Sequence, residues 1–258
     1  MNPSESLGVG DAFPSELTAH CFSPATRIRE TPLVAIHGRR TNPAHMLRAL
    51  RPCAALTGTV VIAPDFRGAA FKGYQTLRSS LGDLGAAQAL ERLLDRLRPE
   101  LGLPRGPLDL IGYSAGAQFA HRFALMFPDR VRRLVTAAAG WYTSLDPRLP
   151  FPHGLAGEAL GRLPQFLEIP VMVAVGDLDV HRGGGLRSEP GLDARQGANR
   201  RERALRWSRE VQSAAADRGI PSRLELAILG GVGHSWSHAS GPGGLAEMTF
   251  EFLARDVG

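Results

Sequence analysis

Cysteine is scarce in this sequence, and its two cysteines, Cys21 and Cys53, lie far apart with no metal-ligand spacing. This excludes a disulfide framework and the usual zinc pattern, and it favours a reducing compartment. Long apolar runs are also missing: the longest are short segments such as Val60–Ala63, whereas a helix that spans a bilayer needs about 20 apolar residues. The segment Met1–Phe13 lacks the basic and apolar regions of a secretory signal. We therefore expect a cytoplasmic protein without a membrane span.

Lysine is nearly absent, since all but one of the 30 basic residues are arginine and Lys72 is the exception. The net charge of +5 could indicate binding to nucleic acid or to an anionic membrane. However, the arginines are spread over the whole chain among 25 acidic residues, and the densest stretch, Arg195–Arg209, includes Glu202, Leu205 and Trp207. This distribution is typical of a solvated surface, and no nucleic-acid partner is expected.

The 258 residues show neither an internal repeat nor a low-complexity linker, so a single domain over residues 1–258 is predicted. Short apolar runs alternate with longer amphipathic stretches, and such runs are typical of strands buried on both faces of a parallel sheet. The predicted fold is therefore α/β, with a doubly wound, mostly parallel sheet flanked by helices. The predicted strands are Leu33–Ile36, Val60–Ala63, Leu108–Ile111, Leu134–Ala138, Val171–Val175 and Leu224–Leu229. The predicted helices are Pro43–Leu56, Leu81–Leu97, Ala115–Phe127, Arg200–Arg218 and Leu245–Arg255.

Polar residues follow the predicted strands at their carboxyl ends. Ligands bind at this edge of doubly wound sheets, where the loops converge, so the functional site is expected here. In chain order the segments are His37-Gly38-Arg39, Asp65-Phe66-Arg67, Gly112-Tyr113-Ser114-Ala115-Gly116, Trp141-Tyr142, Gly176-Asp177-Leu178-Asp179 and Gly233-His234-Ser235.

The third of these segments has the pattern G-x-S-x-G, with a predicted strand before it and a predicted helix after it. In that context the pattern predicts a sharp strand-to-helix turn that exposes the serine, and the glycines allow strand and helix to approach closely. Ser114 would also lie at the positive end of the helix, which favours the negative charge that develops during attack. Ser114 is therefore the candidate nucleophile.

A serine nucleophile needs a base to remove its proton and an acid to orient that base. His234 is the candidate base because it follows the last predicted strand and completes the chain order serine, acid, histidine. His238, four residues further on, is the competing candidate. Asp177 and Asp179 both follow the strand Val171–Val175, and the residues alone leave the choice of the acid open.

With a serine, an acid and a histidine at three strand ends in this order, the whole chain resembles the α/β-hydrolase fold family, in its serine esterase and lipase-like branch. The acid of this family lies in a G-x-x-D turn after the penultimate strand, which implies Asp179 and leaves Asp177 as a turn residue. Residues 37–43 are also similar to the corresponding segment of polyhydroxybutyrate-depolymerase-like and feruloyl-type esterases. A serine at the turn differs from the aspartate nucleophile of dehalogenase and epoxide-hydrolase members.

An oxyanion hole of two N–H donors is also expected, aimed where the substrate carbonyl oxygen becomes negative. The backbone of Ala115, directly after the nucleophile, supplies one donor. The resemblance implies that the other is the backbone N–H of Arg39, which follows His37-Gly38. Because only its backbone would act, the Arg39 side chain is predicted to be replaceable.

Many family members carry a lid between the strands predicted here at Leu134–Ala138 and Val171–Val175. This chain has only about 30 residues there, so a short cap-like insertion at residues 141–169 and an open cleft are expected. Two interpretations of Trp141 and Tyr142 stay open: they line a substrate pocket together with His37 and Tyr113, or they pack beneath the loop.

The segment His181–Asn199 is long and rich in Gly, Arg and Ser. Loops of that length are usually functional or mobile. Either Arg182 or Arg187 binds a substrate carboxylate, or the segment is an ordinary mobile loop.

These features predict a serine hydrolase that cleaves carboxylic esters of a small-molecule substrate through an acyl-enzyme, without a metal or an organic cofactor. Thioesterase, peptidase and acyltransferase activity stay open because all of them use the same intermediate. A second class of function is a non-catalytic member of the fold that binds a small ligand without turnover.

Overall fold

A seven-stranded sheet forms the centre of the computed structural model, which describes residues 16–183 and 185–255. The strand order is β1-β3-β2-β4-β5-β6-β7, and all neighbours are parallel except β1 and β3. The strands are β1 (Thr18–Phe22), β2 (Leu33–Ile36), β3 (Val61–Asp65), β4 (Leu108–Tyr113), β5 (Val131–Ala137), β6 (Val171–Gly176) and β7 (Leu224–Leu229). The prediction of a mostly parallel sheet is confirmed.

Helices cover both faces of the sheet and form two separate apolar clusters. One face packs against α1 (Pro43–Thr57), α7 (Trp236–Ser240) and α8 (Leu245–Ala254), and the other against α2 (Gly85–Glu100), α3 (Ala115–Met126), α4 (Glu158–Leu167) and α6 (Arg200–Ala216). A further short helix, α5 (Pro190–Gln196), precedes α6. Alternate residues along each central strand enter opposite clusters, as a doubly wound fold requires: Leu33 and Ala35 enter one, Val34 and Ile36 the other.

The antiparallel strand β1 is absent from the sequence-based prediction. Its partly exposed sequence Thr-Ala-His-Cys-Phe lies at the edge of the sheet and has no continuous apolar run. Edge strands pair along one side only, so burial marks them weakly in the sequence. β7 is the opposite edge, where Leu226 and Ile228 are exposed although its run is apolar.

The segment expected to form a small cap, residues 141–169, has two parts. Residues 141–157 are irregular, and α4 follows with Ala159, Leu163 and Phe166 buried in the apolar cluster that also contains α3 and α6. This helix therefore covers the sheet, and the cap-like role of residues 141–169 stays a prediction. No helix among the described residues combines the length and the apolar character needed to cross a bilayer.

Candidate active site

The turn between β4 and α3 presents Ser114 at the carboxyl edge of the sheet. Its backbone has φ 55° and ψ −110°, a conformation that costs energy for a residue other than glycine. The flanking glycines are required by contact: a Cβ on Gly116 would lie 1.9 Å from the Ile36 carbonyl oxygen, and one on Gly112 would lie 2.2 Å from the Gly116 oxygen. The turn is therefore as tight as the G-x-S-x-G pattern predicts.

Ser114, His234 and Asp179 form a continuous hydrogen-bonded chain. The Ser114 Oγ lies 3.0 Å from His234 Nε2, and His234 Nδ1 lies 2.8 Å from Asp179 Oδ2. Asp179 accepts the Nδ1 proton, which leaves Nε2 free to accept the serine proton. The Asp179 side chain is only 2% exposed, whereas that of His234 is 28% exposed. The acid is thus buried, while the histidine reaches the solvent where a substrate would enter.

The competing candidates lie elsewhere. Asp177 Oδ1 accepts the backbone N–H of Val232 at 3.2 Å and so links the loops after β6 and β7. His238 is exposed in α7, where its backbone N–H approaches the Ser235 Oγ at 3.4 Å. The geometry therefore favours Asp179 and His234 for the two open choices.

Aromatic rings support the histidine from one side. The Tyr113 ring stacks on the His234 ring with 5.4 Å between centroids, and Trp236 packs edge-on against Tyr113. Tyr113 is buried, and burial raises the pKa of its phenol, so it stays neutral. Of the two interpretations of this residue, the geometry favours support of the imidazole over an open pocket wall.

The expected oxyanion donors lie beside the nucleophile. Ala115 is the first residue of α3, where the helix leaves N–H groups without an intrahelical acceptor. A Cβ on Gly38 would lie 3.2 Å from both the Ser114 Cβ and the Tyr113 oxygen, so the segment carrying Arg39 passes directly against Ser114. The Arg39 side chain itself is exposed. This arrangement is compatible with a purely backbone role for Arg39.

His37 is buried, with 1% of its surface exposed, and fixes this segment. Its Nε2 accepts the Phe66 N–H at 3.0 Å, and its Nδ1–H donates to the Gly38 oxygen at 2.8 Å. The Tyr74 hydroxyl donates to the His37 oxygen at 2.7 Å. Burial lowers the pKa of His37 and keeps the ring neutral. His37 therefore holds the loop that carries Arg39, and its ring presents no open wall to a substrate.

Trp141 and Tyr142 are both buried, which favours packing over pocket lining. Tyr142 stacks on Trp207 with 4.5 Å between centroids. The Trp141 ring lies against the Arg122 guanidinium at 3.9 Å and stacks with the His153 ring at 4.9 Å. Both residues thus anchor the irregular segment after β5.

The arginines of the segment after Asp179 are largely paired. Arg182 donates to Asp193 at 2.7 Å, and Arg187 donates to Glu189 at 2.6 Å. These contacts and α5 (Pro190–Gln196) are the structure of the described part of this segment, and carboxylate binding by either arginine stays a prediction. Among the described residues no group of three or more His, Cys, Asp or Glu is placed to bind a metal ion.

One residue at the site was missed by the sequence analysis. The Arg200 guanidinium, 5% exposed, donates from Nη1 to Asp179 Oδ1 at 3.3 Å. Arg200 is the first residue of α6, 21 positions after Asp179. Arginine is common throughout this chain, so nothing in the local sequence distinguishes this one.

Comparison with known proteins places these observations in a family. A model of the alpha/beta hydrolase fold matches residues 31–168, more than half of the chain. A search of curated proteins found no match. The expected resemblance to α/β hydrolases, including poly(3-hydroxybutyrate) depolymerases, is confirmed by the family model and by solved structures.

Two solved structures are similar to this chain in both fold and amino-acid sequence. Poly(aspartic acid) hydrolase-1 from Sphingomonas sp. KT-1 is 25% identical, with a TM-score of 0.77 over 93% of this chain and 94% of that one. LpqC, a poly(3-hydroxybutyrate) depolymerase from Bordetella parapertussis, is 28% identical, with a TM-score of 0.74 over 93% and 86%. The serine hydrolase FphF from Staphylococcus aureus shares the fold at 12% identity, with a TM-score of 0.59 over 92% of each chain.

Proposed function

This chain belongs to the alpha/beta hydrolase fold family, and on that premise we propose that it is a serine hydrolase that cleaves carboxylic esters through an acyl-enzyme. The observation that carries the proposal is the hydrogen-bonded chain from Ser114 through His234 to Asp179. Such a chain activates a hydroxyl that is otherwise a poor nucleophile.

Each of the three hydrogen-bonded residues has a distinct role in the proposed reaction. The Ser114 Oγ attacks the ester carbonyl carbon while His234 Nε2 takes the hydroxyl proton. The imidazolium then gives this proton to the departing alcohol, and the acyl group stays on Ser114. A water molecule then attacks the acyl carbonyl carbon while His234 takes a proton from it, and the imidazolium returns this proton to the Ser114 Oγ as the bond to the acyl group breaks and the carboxylic acid leaves. Asp179 orients the imidazole and stabilises its positive charge.

The backbone N–H groups of Ala115 and Arg39 hold the carbonyl oxygen as it becomes negative. Removing one such donor costs about 10²–10³ in kcat in other serine hydrolases. The contact of Gly38 with Ser114 supports this role, because it brings the following residue to the reacting atoms.

Ester cleavage is the reaction proposed, and the neighbours widen the range of substrates to test. One is a hydrolase of poly(aspartic acid) and the other a depolymerase of poly(3-hydroxybutyrate). The same acyl-enzyme can form from an ester, a thioester or an amide.

We also propose a cytoplasmic location, which the two free cysteines support.

The test is hydrolysis of p-nitrophenyl esters of increasing acyl length by the wild type and by Ser114→Ala. We expect kcat to fall by about 10⁶-fold in the variant. Ser237→Ala, an exposed serine in α7, is the matched control and should keep full activity. Covalent labelling by an active-site-directed phosphonate, read by mass spectrometry, should occur at Ser114.

Three outcomes distinguish the proposals. Activity that survives Ser114→Ala contradicts the serine mechanism. Labelling of Ser114 without ester hydrolysis contradicts the ester assignment and directs the search to thioesters, poly(aspartic acid) and acyl transfer. A wild type that is neither labelled nor active favours the non-catalytic ligand-binding function.

A further inference from the structure

The carboxylate of Asp179 is held by two partners, one on each oxygen. His234 Nδ1 lies 2.8 Å from Oδ2, and Arg200 Nη1 lies 3.3 Å from Oδ1. The Asp179 and Arg200 side chains are both almost completely buried. The mechanism proposed above uses only the first of these contacts, so the second has no assigned purpose.

The first turn of α6 also holds the backbone of Asp179. The Arg201 N–H donates to the Asp179 carbonyl oxygen at 3.3 Å. The turn itself is fixed by Asn199, whose side chain accepts the Glu202 N–H at 2.9 Å. Arg200 therefore projects from a capped helix start toward an aspartate whose main chain is bound to the same turn.

A buried carboxylate needs a permanent partner while the histidine changes charge. During turnover His234 alternates between neutral and protonated, so it neutralises Asp179 only part of the time. A buried ion without a partner is costly, and arginine stays charged in proteins, so a guanidinium at Oδ1 compensates the carboxylate throughout the cycle. The second contact also limits rotation of the carboxylate about its side-chain bonds.

We propose that Arg200 is a positioning residue that acts through Asp179, compensating the charge of its carboxylate and holding it aimed at His234. This inference rests on the proposed serine hydrolase function. Arg200 Nε is buried without a hydrogen-bond partner among the described residues, so this guanidinium is buried at a cost. That cost is unexpected if Arg200 served only to attach α6, since apolar residues such as Ala204 and Trp207 already pack that helix on the core.

The test compares Arg200→Gln with Arg200→Lys and with Arg209→Gln, which replaces an exposed arginine of the same helix. We expect Arg200→Gln to lower kcat by about 10- to 100-fold, the range of coupling between contacting residues, with KM changed less than about twofold. Arg200→Lys keeps the charge and should recover part of the loss. Arg209→Gln should match the wild type. The rate of labelling by the phosphonate should fall in parallel with kcat.

A double-mutant cycle separates this role from a structural one. If Arg200 acts through Asp179, then Arg200→Gln should change kcat less than about twofold in an Asp179→Asn background. An equal loss in both backgrounds, or no loss in the wild-type background, overturns the inference. If Arg200→Gln does not fold, Arg200→Lys is carried through the same cycle with the same criteria. A wild type without Ser114-dependent turnover refutes the proposed function itself, a result distinct from failure of the cycle.

Discussion

Two buried aspartates lie at opposite ends of the parallel strands, Asp109 at the amino edge of the sheet and Asp179 at the carboxyl edge, and both are bound by arginine. Asp109 lies near the start of β4, where its Oδ2 accepts from Arg132 and lies 3.6 Å from Arg29. Both arginines also donate to the Leu253 oxygen near the end of α8. Asp179 lies beyond the end of β6 and divides its two oxygens between an arginine and a histidine.

The two aspartates differ in the carboxylate oxygen that arginine does not bind, which is Oδ1 in Asp109 and Oδ2 in Asp179. Oδ1 of Asp109 is buried without a hydrogen-bond partner among the described residues, and burial outweighs its arginine contacts and raises its pKa. In Asp179 this oxygen, Oδ2, accepts the Nδ1 proton of His234, a partly exposed histidine that changes charge during catalysis. A buried aspartate–arginine pair thus anchors a helix at one edge of the sheet, and at the other it supports a titratable group.

The largest effect is expected from Asp179→Asn, which should lower kcat by about 10⁴-fold. The amide oxygen can still accept from Arg200, but its NH₂ would face His234 Nδ1 and favour the wrong tautomer. The variant also leaves the buried Arg200 without a counter-charge, so thermal stability should fall as well, and kcat is therefore compared per folded molecule. Asp177→Asn is the matched control, and its kcat should stay near that of the wild type. A kcat within tenfold of the wild type for Asp179→Asn would remove the contrast between the edges.

At the other edge, Asp109→Ala should destabilise the fold and spare the chemistry. Removing one member of a buried ion pair costs about 3–5 kcal/mol because the remaining charge is uncompensated. Denaturant unfolding measures this loss, and kcat per folded molecule should stay within about twofold of the wild type. A loss of activity without a loss of stability would show that the two edges are coupled.

The dependence of stability on pH should also differ between regions. Two histidines, His37 and His121, are buried and each accepts a backbone N–H at Nε2; for His121 the donor is Thr143 at 3.0 Å. Burial lowers the pKa of His37 and lowers that of His121 well below its usual value. Below the unfolded value of about 6.5 the unfolded chain binds these protons and the native state does not, so stability is lost as pH falls. Each such group contributes a slope of up to about 1.4 kcal/mol per pH unit.

Asp109 contributes with the opposite sign. Its folded pKa is raised, so between about 3.9 and that folded value the native state holds the extra proton and stability falls as pH rises. Free energies of unfolding between pH 4.5 and 8 should therefore decline on the acidic side chiefly through the histidines. His121→Gln should flatten this decline, with the exposed His238→Gln as control. An unchanged slope in His121→Gln would contradict the assignment.

The sequence predicts the strands that contain an apolar run, including the partly exposed β7, and it fails where that run is missing or a helix is interrupted. Six strands of the sheet and five helices follow from periodicity, whereas β1 is an edge strand and α4 contains Gly161 and Pro164. α5 and α7 span only 7 and 5 residues, too few for a periodic signal.

The candidate site divides in the same way. Ser114, Asp179 and His234 follow strands that the sequence predicts, and parallel strands bring their carboxyl ends to one edge. The contact between Arg200 and Asp179 depends on how α6 is rotated on the sheet, which no local pattern records. His37 illustrates the reverse case: the pattern marks its position, but only packing against Phe66 and Tyr74 shows that its ring is buried.

The smallest effect is expected from Arg39→Ala, which tests whether the carboxyl edge works through backbone as well as side chains. The side chain is exposed, and the proposed donor is the main-chain N–H, so kcat should stay within about threefold of the wild type. Arg39→Pro removes that N–H and should lower kcat by about 10²–10³. Circular dichroism and thermal unfolding of both variants check that the protein, including the loop held by His37, stays folded when proline is introduced at position 39. A large loss in Arg39→Ala would mean that the guanidinium contacts the substrate, and equal activity in Arg39→Pro would mean that the oxyanion is held by another group. The ratio of kcat between the two variants gives an upper bound on the N–H contribution, because proline also fixes φ at position 39 and restricts the preceding Gly38.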